Sequence, residues 1–377
     1  MFVVGGSVLA ALLLIRWAVL TPVREQAGGQ VRATTSASDP EREAFAAWMF
    51  EETALDDPRE THDRWSRLIE EATRAGAQGP VEAAGFVERL TRVLDELRPA
   101  DRLALSGNFF ESGLDADLGL PFVVGADRRL VSWPTLRVAL YEHMCRHDVE
   151  AARLLASSWV VEPAATSTAE LALALRELSA GQEAHAWSPE VRAAATYLLR
   201  APDRGGADDS GWAESLDLIP AGRAIEFLPE LCGLAGRDRP RDVQQAAQAA
   251  LESFMHTTPA RVLETLNASP ALLGDSSGQR AAVFARADVR VPEQRLALEA
   301  YFLRADVLAG ERAQFVAQFP RLGPPGLPRL FTAIETQTAE DVAAQIEATR
   351  TQLDAWLADP VFAPWHEGMT VVRSRLN

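Results

Sequence analysis

SPEVRAAATYLL from Ser188, RPRDVQQAAQAAL from Arg239 and VPEQRLALEAYFL from Val291 decide how the middle of this chain folds. Each stretch opens on a proline and then sets small alanines beside larger Leu, Val or Phe along one helical face. Proline in a first turn gives up no helical hydrogen bond, and an alanine stripe lets a neighbouring helix approach closely. Pro189, Pro240 and Pro292 lie 51 and 52 residues apart, so one helical unit recurs.

Working outward, apolar spacing and caps predict helices near 135–146, 148–160, 167–180, 188–201, 219–235, 240–257, 259–268, 276–287, 292–308, 310–319, 326–336 and 338–359. The last has Thr338 as N-cap, Glu340 and Asp341 in its first turn, Leu353 and Trp356 on one face, and Pro360 as its stop. Before this array, Asp39-Pro40-Glu41 opens one amphipathic helix, Thr61 a second carrying Trp65 and Leu68, and Pro80 a third carrying Phe86, Leu90 and Leu94.

The P-x-x-R/V-x-x-A pattern resembles the second helix of HEAT repeats over about residues 185–310, with a longer period than that family uses. The resemblance implies helix pairs stacked into an α-solenoid. An irregular helical bundle is the alternative. The expected fold class is all-α: an N-terminal transmembrane helix, then an α-solenoid-like or irregular helical array with a small irregular or hairpin insert.

The insert, residues 107–134, is where helical spacing fails and glycine recurs. Leu120 to Val124 and Arg129 to Trp133 can pair as a hairpin across Gly125-Ala126-Asp127, or form an irregular loop packed on the helices. Irregular segments on a regular scaffold often carry function. Phe109, Phe110, Phe122 and Trp133, with Trp187 and Trp212 at loop edges, are therefore the candidate partner contacts.

At the N-terminus, FVVGGSVLAALLLI from Phe2 continues past Arg16 through WAVLTPV to Val23, long enough to span a bilayer. The segment lacks a basic n-region and a small-residue cleavage site, which favours a retained anchor over 1–23 rather than a cleaved signal peptide. Residues 24–38 read as a flexible tether, 39–106 as an N-terminal helical segment and 135–377 as the repeat domain. The expected setting is a bacterial inner membrane with a single-pass topology. Arg16, Arg24 and Arg32 put the large domain on the cytoplasmic side, the periplasm being the alternative.

A net charge of −16 and a pI near 4.9 disfavour a general hold on nucleic-acid phosphates. Every basic residue is arginine. Cys145 and Cys232 are too few for a disulfide framework and read as buried thiols.

Motifs for chemistry are thin. Gly274-Asp-Ser276-Ser-Gly278 has the string of a nucleophile elbow but no preceding strand, so Ser276 or Ser277 reads as a helix cap. His143 and His147, with Glu142 and Cys145 near them, share a helix face, but the metalloprotease glutamate and a third ligand are not evident. Asp56-Asp57, Asp115 with Asp117, and Asp208-Asp209 lack the register of a calcium loop. No catalytic residue, cofactor or metal ligand is assigned. The expectation is a non-catalytic, membrane-anchored scaffold or adaptor for a protein partner. The alternatives are an accessory subunit of a membrane complex, or a helical enzyme or receptor using residues 107–147.

Overall fold

The computed structural model describes residues 58–97, 106–107, 109–206, 210–323, 330–331 and 337–376. The chain divides into two compact units, 1–54 and 55–377, and everything described belongs to the second. The expected anchor over 1–23, the tether and the helix opening at Asp39 lie outside the described residues. Among the described residues, no helix is long and apolar enough to cross a membrane.

The unit is predominantly helical. Helices α1 (Pro58–Gln78) and α2 (Pro80–Glu96) pack on each other. They bury Trp65, Leu68, Ala72, Phe86, Leu90 and Leu94, the face that helical spacing marks. Next come α3 (Leu136–His147), α4 (Val149–Val161), α5 (Thr168–Ser179) and α6 (Pro189–Leu199). Their starts are set by side chains. Thr135, Asp148 and Ser188 each accept an N–H of the following turn, and Ser167 with Glu170 forms a reciprocal capping box.

Short pieces α7 (Trp212–Ser215), α8 (Leu218–Ala221) and α9 (Leu228–Leu234) lead to α10 (Arg241–Thr257) and α11 (Pro259–Ala268). The rest is α12 (Ser277–Phe284), α13 (Pro292–Phe302), α14 (Ala309–Gln318), α15 (Ala339–Ala358) and α16 (His366–Arg375). The main packings join helices next or next but one in chain order, such as α4 with α5, α9 with α10, α11 with α13, and α12 with α14.

Two expectations of continuous helix fail, and a third falls mostly outside the described residues. The span 219–235 breaks at Gly222 and Arg223, where Arg223 takes a left-handed φ of 52°. Gly222 there lies under Trp187, whose Cζ2 would stand 2.1 Å from an added Cβ. The span 292–308 stops at Phe302, and Arg304 turns back to donate to the carbonyls of Leu266 and Asn267 at 3.1 and 3.0 Å. Of 326–336 only 330–331 are described, and they form a bend.

The alanine stripe is buried where the repeat is regular. Ala194, Ala195, Ala246 and Ala247 are all inside, whereas Ala297 is half-buried and Leu298 takes the interior position. Aromatic clusters fill both ends of the unit. Near the start, Trp65 meets Phe109 edge-on at 5.0 Å, and Phe110 meets Trp159 at 5.7 Å. Near the end, Phe302 is surrounded by Phe315, Trp356 and Trp365. The deepest indoles are also hydrogen-bonded, as burial of a polar N–H requires. Trp212 donates to Leu198 O at 3.0 Å and Trp365 to Phe302 O at 2.8 Å.

Candidate functional site

The hairpin expected in the insert forms. Strand β1 (Val123–Val124) pairs antiparallel with β2 (Leu130–Ser132), Val123 opposite Ser132 and Val124 opposite Leu130, with an irregularity between. The turn is tight: Gly125 N–H donates to Arg129 O at 2.7 Å, and Arg128 N–H to Gly125 O at 3.1 Å. This closure puts Arg128 at φ 65°. Among the described residues, Arg128 and Arg223 are the two non-glycine positions with left-handed φ. Both border the same cleft.

That cleft holds about 650 Å³. The hairpin turn at Asp127–Arg129 lines it, as do the C-terminal ends of α5 and α10 and the Gly222-Arg223 break. Helix C-termini present carbonyls and the negative end of the helix dipole. Arginines of the cleft donate to the carbonyls of the hairpin turn and of the 330–331 bend. Arg176 Nη1 donates to Arg128 O at 3.2 Å, and Arg128 Nη1 to Phe331 O at 3.3 Å.

A charged network runs along the cleft floor. Arg176 stands 2.8 Å from Glu142 and 2.9 Å from Glu177, while Arg129 reaches Glu177 at 3.2 Å and Glu142 at 3.6 Å. Glu142, Arg176 and Glu177 are buried. Burial holds the Glu142 carboxyl above the usual carboxylate range, with Arg176 and Arg129 acting against it. For Arg176 burial disfavours the charge, yet Glu142 and its other neighbours more than offset it and the guanidinium stays charged. At the rim, Arg223 Nη1 meets Glu183 Oε1 at 2.8 Å. The walls thus offer donors and acceptors of both signs, already matched to each other.

None of the six expected partner contacts lines the cleft. Phe109, Phe110, Phe122, Trp187 and Trp212 are buried in the protein itself, and only Trp133 keeps partial exposure. The physical reason is that the insert folds inward. Phe109 and Phe110 join the aromatic core, Phe122 packs against Gly211, and Trp187 against Gly222. Asp115 and Asp117 serve the backbone: Asp115 accepts from the N–H groups of Arg137 and Ala116 at 2.9 and 2.8 Å, and Asp117 from Gly119 at 2.8 Å. Burial raises the Asp115 pKa despite those bonds. Ser276 is buried and donates to Ala235 O at 3.3 Å rather than capping the helix that follows. Cys145 and Cys232 are buried, and burial pushes each thiol up to about 12.

A second cluster lies at α2 and α3. Asp95, one residue from the end of α2, brings Oδ1 to 2.9 Å from His143 Nε2 and 3.1 Å from His147 Nε2. The two imidazoles lie with centroids 4.4 Å apart. Sequence spacing pairs the histidines but cannot supply Asp95, which is 48 positions earlier and arrives through the packing of α2 on α3. The arginines of the cleft were missed too. Their signal was Arg128-Arg129 beside a turn in the irregular insert. Compared with known proteins, the chain matches no family model, no curated protein and no solved structure.

Proposed function

We propose that this chain is a membrane-anchored, non-catalytic, α-solenoid-like scaffold that holds a polar stretch of a protein partner in the cleft between the hairpin turn and the ends of α5 and α10. The cleft carries the reading: about 650 Å³ walled by charges of both signs. Small-molecule pockets are mostly apolar with a few polar groups, whereas polar and apolar surface line this one in nearly equal measure. A partner segment with both donors and acceptors can exchange with exposed rim pairs such as Arg223–Glu183, and electrostatic complementarity of that kind sets specificity and association rate. The serial packing of helices on their chain neighbours supports the solenoid, since repeat arrays stack unit on unit. The anchor rests on the apolar run Phe2–Val23.

Arg223 is the cleft residue to change, because its side chain is 54% exposed and its removal leaves no buried charge. The test is co-purification of the full chain from detergent-solubilised membranes, wild type against Arg223→Glu. Loss of one specific co-purifying protein from the variant, with an unchanged helical spectrum, supports the reading. Retention of the same protein by the variant moves the contact away from the cleft.

A further inference from the structure

We propose that Asp95, His143 and His147 bind a divalent transition-metal ion of the zinc class. His143 and His147 are four residues apart on α3, so one helix face presents both imidazoles. Both offer Nε2, and both Nε2 atoms converge on a single oxygen, Oδ1 of Asp95, contributed by a different helix. The three ligand atoms lie within 4.8 Å of one another.

The distances fit such an ion. With bonds of about 2.0 to 2.2 Å to nitrogen and oxygen, tetrahedral ligand atoms stand about 3.3 Å apart. The observed 2.9 and 3.1 Å between Oδ1 and the two nitrogens need to open by only a few tenths of an ångström. His143 Nε2 and Asp95 Oδ1 make a hydrogen bond at 2.9 Å, which holds the site in register. Two imidazoles and a carboxylate are a borderline-soft nitrogen and oxygen set, suited to zinc and its neighbours rather than to calcium or magnesium.

Access is graded. His143 is 5% exposed, His147 36% and Asp95 52%, so one ligand is fixed by packing while the other two face solvent. Three protein ligands leave a fourth position for water. Glu142 and Cys145, close in sequence, belong to a different set of contacts: Glu142 pairs with Arg176, and Cys145 is a buried neutral thiol. A bound ion would clip α2 to α3 and stabilise the folded chain by mass action.

The test uses the untagged full-length chain, stripped with chelator and titrated with zinc chloride in a calorimeter. A parallel cobalt(II) titration is followed by visible absorption. The expected result is uptake of one equivalent, weakened about tenfold or more in Asp95→Asn and in His147→Ala, and unchanged in His185→Ala. Both ligand changes sit at solvent-facing positions, and circular dichroism confirms that the variants fold. Absence of saturable uptake by the wild-type chain, or equal uptake by wild type and both ligand variants, overturns the proposal.

Discussion

Arg176 of α5 and Glu142 of α3 meet at 2.8 Å with both side chains inside the protein, so two helices and the cleft floor share one buried ion pair. Removing one partner of such a pair strands the other in a low-dielectric interior. Arg176→Ala leaves Arg129 as the remaining ion-pair partner of Glu142 and Glu177, and should cost about 3 to 5 kcal/mol. The double variant Arg176→Met, Glu142→Met removes both charges and should lose less than the single change. Urea melts of the three proteins check the order.

Gly222 sits where a Cβ would come 2.1 Å from Trp187 Cζ2. Gly222→Ala should therefore overpack that contact and cost about 1 to 3 kcal/mol. In Trp187→Ala the obstacle is gone, so adding Gly222→Ala to it should cost clearly less. A double-mutant cycle by denaturant melts reads this coupling directly.

Ala194 and Ala247 are fully buried in helix seams, whereas Ala297 is half-buried. Leucine at 194 or 247 should cost about 1 to 3 kcal/mol, and leucine at 297 less. Glu190→Ala and Arg241→Ala, on exposed faces, should stay within about half a kcal/mol. Equal small effects across all five would mean that the stripe makes no helix contacts.

Asp306 receives two hydrogen bonds from Arg304, at 2.9 and 2.7 Å, and a third contact from Arg280 at 3.1 Å. Chiefly through the Arg304 bonds, its carboxyl is held down to about 2. A folded-state pKa below the unfolded value of about 3.9 adds stability that is complete above that value and is lost as pH falls through the folded one. The margin of wild type over Asp306→Asn should therefore narrow as pH drops from about 5 toward 2. The group is half-exposed, so the margin is small. Urea midpoints measured along that range test the sign.

Much of the helical framework was legible in the sequence because its signals are local. Thr135, Ser167, Ser188 and Thr338 cap the helices they precede, and the hairpin closes between the strands that flank Gly125-Ala126-Asp127. What was not legible depends on contacts between distant residues. Position 222 must be glycine because Trp187, 35 residues earlier in the chain, occupies the space a Cβ would need. The same logic took Phe109, Phe110 and Phe122 inside: an irregular segment reads as surface until the cavity that receives it is known. Asp95 joins His143 and His147 only through helix packing, and Arg176 finds Glu142 in the same way.

A partner seated in the cleft at the hairpin turn should be captured by site-directed photo-cross-linking from the cleft rim. A photoreactive amino acid is placed at position 223 on the cleft rim, and in a control at position 154, where Leu154 on α4 is 75% exposed and does not line the cleft. Irradiated cells should yield a discrete cross-linked protein from position 223 and not from 154. Cross-linking to the same protein from 154 alone, or equally from both positions, would contradict a partner seated in the cleft.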